Sequence, residues 1–170
     1  MSGPGSSPGG WGAGGASADR VEIAGTPEAI WSILDDPAAL GRVLPGCESV
    51  EPDGPDRLRL VLVSRVQGMT LRIEAVATFS ERRPPSHLRL ELVGTARGIG
   101  GTVRVVVPFD LEAVDPGRTQ VSYAIDLKVT GMLAMAGTRA IRDALRAEIG
   151  QLVRNVEREV AADDPPGEAG

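Results

Sequence analysis

Cys47 and His87 are the side chains that could most readily do chemistry in this chain, and each is the sole member of its residue type. A cysteine nucleophile needs a neighbouring base that lowers the pKa of its thiol, and the sequence indicates no third group to orient such a pair. A zinc site built from histidine and cysteine needs more ligands than these two residues supply. We therefore expect no catalytic residue, no covalent cofactor and no metal site.

The composition is that of an acidic chain with few aromatic rings. Its 170 residues carry a net charge of -5, and aromatic residues make up 3% of the chain against 42% for hydrophobic residues as a whole. An acidic chain without a basic cluster is a poor partner for nucleic acid. A single cysteine fits a reducing compartment, and neither a membrane span nor a secretory signal is visible. We expect a cytoplasmic protein whose core is built from Leu, Val, Ile and Ala.

The composition also divides the chain into three parts. Residues 1–19 are rich in Gly, Ser and Pro, so they cannot bury enough apolar surface to offset the entropy lost on ordering. Residues 162–170 form a second polar tail, which leaves one predicted domain over residues 20–161. Trp11, within the first tail, is either a docking anchor for a partner or an incidental residue.

The hydrophobic periodicity of that domain changes along the chain. The stretch RVEIAG predicts a first strand, and TPEAIWSILDD predicts a helix with Thr26 as its N-cap and Pro27 in its first turn. A second short helix begins near Pro37 and ends at a Pro-Gly turn. Alternation over residues 48–130 predicts successive antiparallel strands, and a period of 3.6 predicts a long helix over residues 132–161.

These elements predict an α+β fold of the helix-grip type. In this fold a curved antiparallel sheet of about seven strands wraps around a long C-terminal helix, and two short helices follow the first strand. Because few bulky rings are present, the space between sheet and helix is expected to hold an apolar cavity for a hydrophobic small molecule. The predicted ligand-binding residues are Leu60, Leu62, Ile73, Leu90, Val105, Ile125, Met132, Leu133, Met135, Ala136 and Arg139.

The stretch LPGC predicts a tight turn that gives the cysteine a mainly structural role. We expect a compact, mostly buried thiol and place this turn at the mouth of the cavity, together with an arginine of the glycine-rich stretch GTARGIGG. The predicted mouth residues are Leu44, Pro45, Gly46, Cys47 and Arg97. We also predict that Arg139 pairs with Asp126 or holds a carbonyl group of the ligand.

Three stretches resemble the G-subunit family of carbon monoxide dehydrogenase, a branch of the SRPBCC or START-like superfamily. They are IWSILDDPAALGRVLPGCESVE, GTARGIGGTVRV and TQVSYAIDLKVTGMLAMAGTRAI, in this order along the chain. The resemblance implies an accessory protein of a molybdenum hydroxylase of the carbon monoxide dehydrogenase type. It further implies recruitment of that enzyme to the inner membrane face and a bound hydrophobic quinone, menaquinone or another, as electron acceptor.

Two other classes of function stay open at this point. The first is an assembly or recruitment scaffold that binds no ligand and contacts its partner through the N-terminal arm. The second is an enzyme such as a cyclase or hydrolase, because a fold does not fix a function. The sequence offers no His, Cys and Asp cluster for such an enzyme.

Overall fold

The computed structural model describes residues 18–163 and confirms the predicted α+β fold. The predicted tails, with Trp11, lie almost wholly outside the described residues. The first strand begins two residues before the predicted domain, and the last helix ends two residues beyond it. In chain order the elements are β1 (Ala18–Ala24), α1 (Pro27–Leu34), α2 (Pro37–Val43), β2 (Cys47–Pro52), β3 (Arg57–Val66), β4 (Met69–Arg83), β5 (His87–Ala96), β6 (Thr102–Asp115), β7 (Arg118–Ala124), β8 (Asp126–Val129), a 3₁₀ helix (Gly131–Ala136) and α3 (Thr138–Asp163).

The strands form one curved antiparallel sheet in the order β1-β7-β6-β5-β4-β3-β2. The short strand β8 pairs with β6 beyond the point where β7 ends, so that Val105 faces Leu127 and Phe109 faces Tyr123. A break at Ile125 therefore divides what the alternation predicts as one strand into two. From β2 to β7, each strand is joined to the next by a short turn, which produces the predicted meander.

Both short helices begin as the sequence predicts. The hydroxyl of Thr26 accepts a hydrogen bond from the backbone N–H of Ala29 at 3.1 Å, and Pro27 occupies the first turn of α1. The carboxylate of Asp36 accepts from the N–H of Ala38 at 3.1 Å and caps α2 in the same way. The two helices cover one end of the sheet with their buried faces.

The predicted continuous helix over residues 132–161 is wrong at its start. Gly137 has a φ of +95°, which a helix cannot contain, and it separates the 3₁₀ helix from α3. The 26 residues of α3 span ~39 Å at the standard rise, enough to cross the sheet. The periodicity missed the break because alanine and methionine around Gly137 are good helix formers.

The interior contains two groups of buried apolar residues at opposite ends of α3. The first cluster lies under α1 and α2 and includes Trp31, Phe79 and Val156. The second cluster lies under the 3₁₀ helix and includes Leu71, Val105 and Ile141. Rings of tryptophan and phenylalanine are buried in the first cluster, whereas the buried residues of the second are all aliphatic. The candidate site lies between these two ends.

The turn between α2 and β2 is fixed to the neighbouring strand by backbone hydrogen bonding. Gly46 has a φ of +70°, and its carbonyl accepts a hydrogen bond from the N–H of Val63 at 2.8 Å. A Cβ atom added at Gly46 would lie 2.1 Å from the carbonyl oxygen of Val63. Only glycine can therefore occupy this position without moving the turn away from β3.

We predict that Gly46→Ala lowers the free energy of unfolding by at least about 3 kcal/mol, because it adds a backbone clash to a left-handed conformation. Gly54→Ala is the matched control, since Gly54 has a φ of +102° but nothing within 4 Å of an added Cβ. The control should cost roughly 1–2 kcal/mol from its backbone conformation alone. Urea unfolding of both variants measures the difference, and equal losses would contradict the role given to the turn.

Candidate functional site

The principal cavity in the described part of the chain lies between α3 and the inner face of strands β3 to β6. Alternate residues of each strand point toward α3, because successive side chains of a strand face opposite sides of a sheet. From α3, residues at positions 141, 144, 145, 148, 149 and 152 face the strands, which is the spacing of one helical face. The sheet and the helix thus supply opposite walls.

The cavity has a volume of about 180 Å³ and is lined almost entirely by aliphatic side chains. Engineered apolar cavities of about 150 Å³ stay free of water and bind benzene. This cavity is therefore large enough for a ring-sized apolar group. Its lining residues are Leu44, Pro45, Leu62, Ser64, Val66, Leu71, Ile73, Leu90, Leu92, Val103, Val105, Val107, Phe109, Ile125, Leu133, Ile141, Ala144, Leu145, Glu148, Ile149 and Leu152.

Ser64 and Glu148 are the polar exceptions in this lining. The hydroxyl of Ser64, on β3, donates a hydrogen bond to Oε2 of Glu148, on α3, at 2.5 Å. Burial raises the pKa of Glu148, and the bond from Ser64 offsets part of that rise. The pair therefore places one carboxyl group, with a raised tendency to be neutral, in an otherwise apolar space.

Six of the eleven predicted ligand-binding residues line the cavity. These are Leu62, Ile73, Leu90, Val105, Ile125 and Leu133. They share the inner face of the sheet or the buried side of the 3₁₀ helix, which is why alternation located them. Contact of these residues with a ligand stays a prediction.

The other five predicted ligand-binding residues lie outside the lining. Leu60 faces inward but is covered in the first cluster, two residues along β3 from Leu62. Because Gly137 ends the 3₁₀ helix, Met132 and Met135 turn outward and are 61% and 79% exposed. Ala136 packs against the second cluster without reaching the cavity.

Arg139 is the fifth of these residues, and it is exposed in the first turn of α3. No ion pair among the described residues joins it to Asp126, so the predicted pairing does not form in this structure. The structure brings neither side chain into the lining of the cavity.

Leu44 and Pro45 line the cavity, whereas the other predicted mouth residues do not. Gly46 turns its backbone onto β3, and Cys47 lies half-buried beside a depression on the outer surface. Arg97 pairs with Glu74 at 3.1 Å on the outer side of β4. The side chains of β4 and β5 alternate, so this outward position follows from their pleat.

Cys47 and His87 have structural surroundings. The thiol of Cys47 donates a weak hydrogen bond to the carbonyl of Ser49 at 3.4 Å, and burial raises its pKa, which disfavours the thiolate. The imidazole of His87 bridges Asp110 at 2.7 Å and Glu81 at 3.0 Å, and its hydrogen bond lowers the pKa of Glu81. Neither residue lines the cavity.

Residues 18–163 offer neither of two further kinds of feature. No three or more His, Cys, Asp or Glu side chains within this range are grouped so that they could hold a metal ion. No helix in the same range combines the length and the apolar character needed to cross a membrane.

Sequence reasoning missed Ser64 and Glu148, although the pattern contained a signal for both. Ser64 interrupts the inward series Leu60, Leu62 and Val66 on β3, and Glu148 falls on the apolar face of α3. A polar residue at an apolar position on each of two facing elements is the signature of a buried pair. The periodicity alone could not show that the two positions are opposite each other.

We predict that the Glu148→Gln variant gains stability relative to the wild type as pH rises. The folded wild type holds a proton more tightly than the unfolded chain, so its free energy of unfolding falls as pH rises from the unfolded pKa through the raised folded pKa. Glutamine stays neutral and lacks this loss. Urea unfolding across a pH series measures the difference between variant and wild type, and a difference that shrinks with rising pH would contradict the assignment.

Solved structures of similar fold come from several bacteria. A conserved protein from Geobacillus kaustophilus is 26% identical with a TM-score of 0.79, over 86% of this chain and 95% of that one. A START superfamily protein from Mycobacterium smegmatis is 17% identical with a TM-score of 0.65, over 88% and 99%. An aromatase/cyclase from Streptomyces is 16% identical with a TM-score of 0.59, over 85% and 92%.

These similarities place the chain in the START-like fold, and a family profile is more specific. Comparison with curated proteins gives no significant match. The profile of the carbon monoxide dehydrogenase G subunit, CoxG, matches residues 20–161, which run from the first strand to the last helix. Because that match spans most of the chain, the protein belongs to the CoxG family of carbon monoxide dehydrogenase.

Proposed function

We propose that this protein is a non-catalytic carrier that holds a hydrophobic molecule, a quinone, between α3 and the sheet. It would serve as accessory protein to a molybdenum-containing enzyme of the carbon monoxide dehydrogenase type. The observation that carries this proposal is the apolar cavity of about 180 Å³ in a member of this family. Binding would be driven by removal of apolar ligand surface from water, at roughly 25 cal/mol per Å² before the entropic costs of association.

The size of the cavity limits how such a ligand can sit. Pockets that enclose drug-sized ligands measure about 300–1,000 Å³, so this cavity accommodates only part of a long-chain lipid. A ring or short chain segment fits within it, and the remainder must lie outside or displace side chains of the lining. The half-buried Leu145, Ile149 and Leu152 of α3 line the wall most readily displaced, since α3 contacts the sheet through side chains alone.

The chemistry of the lining supports a carrier rather than an enzyme. Acid-base and nucleophilic catalysis need a reactive group with a partner that activates it. Within the described lining, Glu148 is the one titratable side chain, and its partner is a serine that donates a hydrogen bond to it. The aromatase/cyclase of similar fold shows that the fold alone does not decide this point.

The 3₁₀ helix supports the membrane-contact part of the proposal. Its Leu133 is buried, and the backbone N–H of Leu133 donates to the carbonyl of Gly100 at 3.0 Å, which fixes the segment on the β5–β6 turn. Met132 and Met135 project from this anchored segment and are largely exposed. Flexible methionine side chains adapt to irregular apolar partners, and lipid chains are such partners. We propose that this tip contacts the membrane from which the ligand is taken.

We predict that Ala144→Phe weakens binding of a hydrophobic naphthoquinone at least tenfold, because the added ring would occupy the cavity. Ala147→Phe is the matched control, since Ala147 lies on the exposed side of the same helix. Displacement of a neutral fluorescent dye by 2,3-dimethyl-1,4-naphthoquinone measures the affinity. Equal affinities of the two variants would place the ligand elsewhere and contradict the carrier hypothesis.

We predict that replacing both Met132 and Met135 by glutamate abolishes co-sedimentation with phosphatidylglycerol vesicles, because two charges would have to enter the apolar part of the bilayer. Val114→Glu, which changes an exposed apolar residue beside the β6–β7 turn, is the control and should sediment like the wild type. Sedimentation that survives the double substitution would show that another surface, or no membrane contact at all, is used.

A further inference from the structure

Ser64 and Glu148 form a polar contact across a cavity that otherwise offers no hydrogen bond from its side chains. The two residues approach from opposite walls, one from β3 and one from α3, and their oxygens lie 2.5 Å apart. Each stands at a position where the pattern of its own element calls for an apolar residue. Burying a carboxyl group in such a place costs free energy that an aliphatic side chain would avoid.

The bond to Ser64 uses one oxygen of the carboxyl group. Ser64 donates to Oε2, and the described residues provide no hydrogen bond to Oε1. Burial raises the pKa of Glu148 and so favours the neutral acid, which carries a proton that it can donate. With Ser64 donating to the carbonyl-type oxygen, the acid proton on Oε1 is left for a third group.

We propose that Glu148, held in place by Ser64, is the polar anchor of the cavity and selects ligands that carry a carbonyl group on an apolar body. The inference rests on the proposed carrier function and adds the chemical class of the ligand head. The acid proton would be donated to the carbonyl oxygen, as in a ketone, an ester or a quinone. The aliphatic lining would hold the remaining part of the ligand.

The opposite charge preference is the main competitor. An ionised carboxylate would prefer a ligand ammonium group, which would also lower the pKa of Glu148 on binding. The aliphatic lining argues against this arrangement, because an ion pair in such surroundings must recover the desolvation cost of both charges. A neutral donor facing a neutral acceptor has no such cost.

Three probes with one bicyclic body separate these possibilities. They are 2,3-dimethyl-1,4-naphthoquinone, the hydrocarbon 2,3-dimethylnaphthalene and the cation 2-naphthylmethylammonium. Both ring positions next to the quinone carbonyls are methylated, so the probe has no free position for addition of the thiol of Cys47. Dye displacement at mildly acidic pH gives the affinity of each probe for the wild type, Glu148→Gln and Glu148→Leu.

We expect the wild type to bind the quinone about tenfold more tightly than the hydrocarbon, the size of one good hydrogen bond. Glu148→Gln should keep this preference, because its amide can donate to the carbonyl while its oxygen accepts from Ser64. Glu148→Leu should lose the preference and still bind the hydrocarbon. Retained hydrocarbon binding shows that the cavity of the leucine variant is intact.

Two outcomes would overturn the anchor while leaving the carrier function standing. One is equal affinity of the wild type for quinone and hydrocarbon, and the other is tighter binding of the ammonium probe than of the quinone. A quinone preference that persists in Glu148→Leu would also overturn it. Failure of all three probes to bind any of the proteins would instead remove the carrier function on which the anchor rests.

Discussion

α3 lies across a curved sheet whose facing side chains are mostly too short to meet it over its full length. Trp31 and Phe79 fill the space at one end, and Phe109 packs against Tyr123 with ring centroids 6.2 Å apart. Between the ends, valine, leucine, isoleucine and alanine leave a gap of about 180 Å³. Protein interiors normally pack like organic crystals, so an unfilled volume of this size loses dispersion contacts along its walls. A hydrophobic ligand would restore those contacts.

The two ends of the molecule carry different parts of its properties. The first cluster joins β1, α1, α2 and the C-terminal half of α3 into a dense core that secures the fold without any ligand. At the other end, the 3₁₀ helix rests on a glycine-rich turn and presents exposed methionines next to the second cluster. Regions with fewer buried contacts open at lower free energy, so the ligand is expected to enter at this end. The family supplies the setting, an accessory protein of the carbon monoxide dehydrogenase system.

The sequence predicted the fold well because its local signals agree with its long-range packing. Thr26 and Asp36 cap the two short helices, and strict alternation identifies the inward residues of β3 to β6. It failed at Gly137, where good helix formers on both sides hid a left-handed glycine and misplaced Met132 and Met135. It also missed Ser64 and Glu148, since a pair across two walls depends on tertiary register that one-dimensional periodicity does not contain.

The most direct test of the ligand-filled gap is native mass spectrometry of the protein purified from cells that contain a carbon monoxide dehydrogenase system. The account predicts a stoichiometric adduct whose mass, after dissociation, corresponds to a neutral hydrophobic molecule that bears a carbonyl group. Protein from such cells that is consistently detected at its bare mass, under conditions that preserve a known lipid complex, would contradict it. In that case the gap between α3 and the sheet would be a packing defect, and recruitment without a ligand would be the better explanation of the fold.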